Sequence, residues 1–180
     1  ITFINNNEKE AHLFLSKLTD ACFLYLRKQV QAGIDVIQIF DSWANILNAD
    51  EINNFSFNYI KSLIVALKQD PVTSNTPIIL FARDPKCNAN TLIKTSADCI
   101  SLYWSANNFD LKYARDKVAL QGNLDPKILL QSNEIIRSET KAILDKFKNF
   151  PGYIFNLGHG LTPDISPEKV KYLTELVREY

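Results

Sequence analysis

Short β-branched runs alternate with helical stretches along this chain, and that alternation limits the folds open to it more than any single motif. Five runs have the length and residue types of strands: VIQIF (36–40), PIILFA (77–82), CISLYW (99–104), VALQGNL (118–124) and YIFNL (153–157). Helical patterns follow each of them, over 51–68, 90–96, 111–117, 132–148 and from Ser166 to the end. A further helix is predicted ahead of the first strand, where Leu15, Leu18, Cys22, Tyr25, Leu26 and Val30 recur at spacings of three and four and Ala32-Gly33 ends the run. In the 132–148 stretch, Ile135, Ile136, Ile143, Leu144 and Phe147 form the apolar face. Ser166 is placed to cap the last helix, with Pro167 at its first position.

Strict alternation of this kind predicts an α/β fold with a parallel sheet covered by helices. A doubly wound open sheet and a segment of an eight-stranded barrel both satisfy it. In either one, functional side chains gather where strands end and the next loop begins. The positions singled out are Asp41-Ser42, Arg83-Asp84, Trp104-Ser105, Gly122-Asn123 and Asn156 to Gly160.

Charge and hydropathy remove several function classes. Twenty basic and twenty acidic residues cancel without forming runs, so neither nucleic acid nor a membrane surface is an expected partner. Apolar runs such as SLIVAL and PIILFA fall far short of the roughly 20 residues needed to cross a bilayer. With 46% apolar residues in 180, one domain with a proper core is expected. The N-terminal ITFINNNEKEAH lacks the pattern of a secretion signal, and the chain has no Met, so translation is not expected to begin at Ile1. Cys22, Cys87 and Cys99 show no CxxC spacing, which fits a reducing, cytoplasmic compartment. Neither histidine has a partner at zinc-ligand spacing, and no metal is expected.

The stretch GYIFNLGHGL (152–161) holds three of the chain's five glycines and one of its two histidines. Glycine permits positive φ and close approach of a ligand to the backbone, and His159 between two glycines can donate to an anion or carry a proton. The alternative is that His159 caps local backbone groups while the glycines turn the chain. As a dinucleotide signature the stretch fails, because the third glycine is missing. Asp41 and Ser42 can hydrogen-bond a ligand, yet both are common N-caps, and capping is the expectation from the residues alone. No G-x-S-x-G surrounds Ser42, which rules out a hydrolase elbow. Gly122 is expected to serve close packing. Arg83, Lys86, Arg115 and Lys117 are either charge for an anionic substrate or solvated surface.

Three segments carry a family resemblance: LTDACFLYLRKQVQAGIDVIQIFDSWA, VALQGNLDP and YIFNLGHGLTPDISPEKV. In order and spacing they resemble the uroporphyrinogen decarboxylase family of haem biosynthesis. The resemblance implies that residues 1–180 are the C-terminal five βα units of a (β/α)8 TIM-type barrel, one domain whose N-terminal portion is absent here. It also implies a cytoplasmic homodimer that takes carbon dioxide from the four acetate side chains of uroporphyrinogen III to give coproporphyrinogen III, with no metal or organic cofactor. Matched by motif, Ser42 hydrogen-bonds the substrate, Phe40 forms an apolar wall of the cleft, and His159 contacts a substrate carboxylate. The family's carboxylate-binding arginines, its pyrrole-facing aspartate and a substrate-binding tyrosine belong to the family's first half and have no counterpart in this chain, so no catalytic residue is expected within it. Two departures stand out. Ser101 and Tyr103 of SLYW replace a glycine and an aspartate, and FARDP replaces a segment where the family often has glycine. Competing expectations are an inactive or partner-dependent fragment, and a cobalamin-linked methyltransferase. The latter requires a His-x-Cys pair, whereas Gly160-Leu161 follow His159.

Overall fold

The computed structural model describes residues 2–83, 90–106 and 110–180. Helices α1 (Thr2–Asn6) and α2 (Glu8–Gln31) come first. Helix α2 starts ahead of the apolar spacing that announces it, with Glu8 and Glu10 in its first turn, where carboxylates favour the exposed amides. It ends at Ala32, and Gly33 follows in the left-handed region with φ +97. Strand β1 (Ile37–Asp41) leads through a short 3-10 turn, Ala44–Ile46, to a helical body made of α3 (Ala49–Ile52), a π-helical turn (Asn53–Phe57) and α4 (Asn58–Gln69). Asn48 caps that body. Its side-chain oxygen accepts from the Asp50 and Glu51 amides at 3.0 and 2.9 Å, while the Asn48 N–H donates to the Glu51 carboxylate at 2.9 Å.

The remaining units are β2 (Ile78–Ala82), α5 (Asn90–Ile93), β3 (Cys99–Ser101), α6 (Leu111–Ala114), β4 (Ala119–Gln121), a 3-10 turn (Pro126–Leu130), α7 (Asn133–Phe147), β5 (Tyr153–Ile154) and α8 (Pro167–Glu179). Strand β3 is shorter than CISLYW predicts, because the carbonyls of Tyr103 and Trp104 accept from the Asn123 side chain rather than from a ladder partner. Ser166 does occupy the N-cap position of α8, but its side chain caps no helix N–H. The Glu168 carboxyl is held below its usual pKa by its own backbone N–H and by the Ser166 hydroxyl.

All five strands are parallel, and their order across the sheet is β1-β2-β3-β4-β5, the order along the chain. A doubly wound sheet reverses direction once, sending helices to both faces. Here there is no reversal. With right-handed crossovers throughout, every connecting helix falls on the same side. The architecture is five βα units of a TIM-type barrel, with β1 and β5 at the two edges of the sheet.

The register sorts residues onto the two faces. Ile37, Ile78, Leu80, Ala82, Ile100 and Leu120 face the helices and lie in one core with Phe57, Ile64, Leu67 and Phe147. A second cluster, with Leu124, Leu129, Ile136, Leu173 and Leu176, fixes α7 to α8. The opposite face carries Gln38, Phe40, Ile79, Phe81, Cys99, Ser101, Ala119 and Gln121, the positions that fill a barrel's interior.

Cys99 reports on that inner face. Burial, and then the neighbouring Asp98 carboxylate, push its thiol pKa up to about 12, so the reactive thiolate is scarce at neutral pH. Alkylation of the native protein at pH 8, followed by peptide mapping, should leave Cys99 unmodified until urea is added. Modification of Cys99 in the native protein at the rate of a free thiol would show that the face is open to water.

Candidate functional site

At the C-terminal ends of the strands the inner face closes around a cavity of about 360 Å³ lined by Gln38, Phe40, Ser42, Phe81, Ser101, Asn156, Leu157, His159 and Gly160. Residues following β1 and residues following β5 share it, although these are the two edge strands. In a flat five-stranded sheet those edges would lie roughly 19 Å apart. The sheet is therefore strongly curved, and its curvature makes the site.

Each side arrives by local rules. Alternation along β1 sends Gln38 and Phe40 to the inner face and Asp41 to the helix side, where its carboxylate accepts a hydrogen bond from Ser56 on the π-helical turn. Ser42 follows and lines the cavity. The capping expectation for this pair is thus overturned: Asn48 caps the next helix, Asp41 is bound to Ser56, and among the described residues Ser42 caps no helix. Phe40 is 63% exposed and meets Phe81 with ring centroids 5.9 Å apart.

The β5 side is pinned by backbone bonds. Leu157 bridges Leu124, and the Gly158 N–H donates to the Leu124 carbonyl at 2.8 Å. Gly158 packs directly on the backbone of Trp104, so closely that a Cβ there would sit 2.6 Å from the Trp104 Cα. Neither Gly158 nor Gly160 has positive φ, so the demand on Gly158 is close approach rather than a left-handed turn. The imidazole of His159 stands edge-on to Phe81 (6.3 Å, 70°) and to Tyr103 (6.0 Å, 84°). Among the described residues no ring nitrogen of His159 bonds to the backbone, so the local-cap alternative is not what the structure shows. Tyr103 in turn leans on Trp104 at 5.4 Å, and the Asn123 side chain holds both their carbonyls.

Other positions play different parts. Gly122 has φ +124 and lies so close to Leu102 that an added Cβ would come within 2.9 Å of the Leu102 carbonyl oxygen, which is the packing role expected of it. Arg83 follows β2 half-buried, and its backbone N–H donates to the Asp41 carbonyl. Arg115 and Lys117 cannot serve this mouth. They precede β4 and line a hollow at the N-terminal ends of the strands with Asp98, Pro151 and Gly152. Arg115 is engaged with the Asn149 carbonyl at 2.9 Å, and the Lys117 ammonium lies 3.1 Å from the centre of the Tyr113 ring. Asp84, Lys86 and Cys87 lie outside the described residues, as does Pro85 of the FARDP departure.

Sequence reasoning missed Gln38, Phe81 and Ser101 as cavity residues. A signal was present: β1, β3 and β4 carry Gln38, Ser101 and Gln121 among apolar neighbours, and all three fall on the same parity, whereas Asp41 at the end of β1 falls on the other. Among its described lining residues the cavity has no carboxylate, lysine or arginine. It offers neutral hydrogen-bonding groups, one imidazole and an aromatic wall. Such a surface can orient a ring-bearing, acceptor-rich ligand, and it contains no nucleophile paired with a base.

The family model described as uroporphyrinogen decarboxylase (URO-D) matches residues 1–180. Among curated relatives, a uroporphyrinogen decarboxylase of Chlorobaculum parvum is 42% identical over 176 residues, covering 94% of this chain and 49% of that protein. The Aquifex aeolicus uroporphyrinogen decarboxylase is 39% identical over 178 residues, covering 99% and 52%. The chain spans about half the length of the curated relatives it matches. Among solved structures, a methyltransferase from Methanosarcina mazei superposes with a TM-score of 0.68 over 89% of this chain and 47% of its own, at 22% identity, a likeness of fold.

The two glycines flanking His159 should respond differently to substitution. Gly158→Ala drives a methyl group into the Trp104 backbone and should lower stability by about 3 kcal/mol. Gly160→Ala meets nothing within 4 Å and should stay within about 0.5 kcal/mol of wild type. Urea midpoints of the two variants test this, and equal midpoints would refute the close-approach role of Gly158.

Proposed function

The chain belongs to the uroporphyrinogen decarboxylase family, and from that premise we propose that it forms one wall of a decarboxylase site for uroporphyrinogen. The observation that carries this reading is the convergence of Phe40, Ser42 and His159, drawn from opposite edges of the sheet, on one cavity.

The chemistry assigns different tasks to different walls. Protonating a pyrrole α-carbon turns the ring into an electron sink; the bond from the acetate methylene to its carboxylate then breaks, carbon dioxide leaves and the electron pair passes into the ring, after which a proton adds to the methylene to give a methyl group and the α-carbon gives its added proton up. The protein must hold the macrocycle, orient its carboxylates and stabilise the cationic ring in the transition state. In this proposal Phe40 provides the apolar surface against which the macrocycle lies, its ring fixed by Phe81. Ser42 and His159 hydrogen-bond substrate carboxylates, and the edge contacts from Phe81 and Tyr103 hold the imidazole in place. The charged groups that neutralise the remaining carboxylates and face the pyrrole N–H groups are proposed to lie on barrel strands outside this chain. Residues 1–180 would then be the C-terminal portion of a single barrel domain, and the working form a cytoplasmic homodimer.

The test uses the natural protein that carries this chain. Incubation with uroporphyrinogen, followed by separation of products by carboxylate number, should show stepwise loss down to coproporphyrinogen. Unchanged substrate would overturn the proposal. Ser42→Ala and His159→Ala should each lower kcat/KM about tenfold, the worth of one hydrogen bond to a charged group. Unaltered kinetics in both variants would remove these residues from the site while leaving the activity in place.

A further inference from the structure

Ser101 and Gln121 form a buried polar pair on the inner face, in an otherwise apolar stretch of sheet. They are in-register neighbours on β3 and β4, each is 3% exposed, and the Gln121 Nε2 donates to the Ser101 Oγ at 3.0 Å. A serine hydroxyl that accepts a hydrogen bond still has its own proton to give. Among the described residues no acceptor takes that proton. Ser101 also lines the cavity, between Phe81 in the neighbouring strand and the Asn156 to Gly160 segment. A buried donor without a partner is disfavoured, so a pocket containing one favours a ligand that brings an acceptor to it.

We propose that the Ser101 hydroxyl, oriented and polarised by Gln121, is a carboxylate-binding group at the floor of the cavity. This deepens the functional reading above and rests on it. The ligand group follows from the lining. Ser42, Asn156 and His159 supply further donors around the same space, and no acidic side chain is among the described lining residues. A cation would find no counter-charge there, whereas a carboxylate finds several donors. Donation from Gln121 strengthens the serine as a donor in turn, because hydrogen bonds in a chain polarise one another. In this assignment the hydroxyl binds a carboxylate and moves no proton, so it affects affinity for the substrate more than turnover.

Three variants of the natural protein test this: Ser101→Ala and Ser101→Gly, which remove the hydroxyl, and Ser101→Thr, which keeps one. Thermal midpoints are measured first to confirm folding. With uroporphyrinogen as substrate, the first two should raise KM about tenfold while changing kcat much less, and Ser101→Thr should recover most of the loss. A KM unchanged by Ser101→Ala, or a Thr variant no better than Ala in a folded protein, would overturn the assignment while leaving the decarboxylase reading intact. Should wild type show no turnover, the decarboxylase reading fails, and binding of uroporphyrin, followed by quenching of tryptophan fluorescence, still decides the role of Ser101. Weaker binding by about tenfold in Ser101→Ala supports a carboxylate-binding role, and equal binding, or none by wild type, refutes it.

Discussion

The connections between strands all turn the same way, and nearly everything else about the structure depends on that constraint. Because strand order follows chain order, one handedness of crossover puts every helix on one side of the sheet. That side must be apolar to bury the helices, and Ile37, Ile78, Leu80, Ile100 and Leu120 meet the requirement with almost no exposure. The other side has no helix to bury and can carry Gln38, Ser101 and Gln121. The same sheet is thus a core on one face and a chemical surface on the other.

Much of this was legible in the residues, and the parts that were not have identifiable reasons. The order of strands and helices follows from periodicity, which is local. The choice between a doubly wound sheet and a barrel does not, because both produce the same alternation and differ only in where strands are placed. Asp41 and Ser42 were the hardest to separate. Both types cap helices and both bind ligands, and the deciding factor is a single step along β1, which turns Asp41 toward Ser56 and leaves Ser42 at the mouth. Arg115 and Lys117 carry the right charge for an anion but stand before their strand rather than after it. For Gly158 the residues left both a turn and a close approach open, and the partner that decides it, Trp104, is distant in sequence. The Ser101 and Gln121 pair depends on the register between two strands, a quantity that neither strand encodes alone.

The cavity's neutral lining bears on how such a site is divided. Charges are costly to bury unless paired, whereas amides, hydroxyls and an imidazole can be packed against a sheet once their hydrogen bonds are met. A wall built from Gln38, Ser42, Ser101, Asn156 and His159 offers hydrogen-bonding groups without burying a charge. On the proposed function the substrate carries many carboxylates, and neutral donors alone cannot neutralise that charge. On that proposal countercharge would come from the side of the barrel facing this wall, where strands continuing from β1 and β5 would also pair the two edges of the sheet. Orientation and neutralisation would therefore fall to different strands of the barrel. Closing it would bring them together at one substrate and remove the exposed edges in the same step.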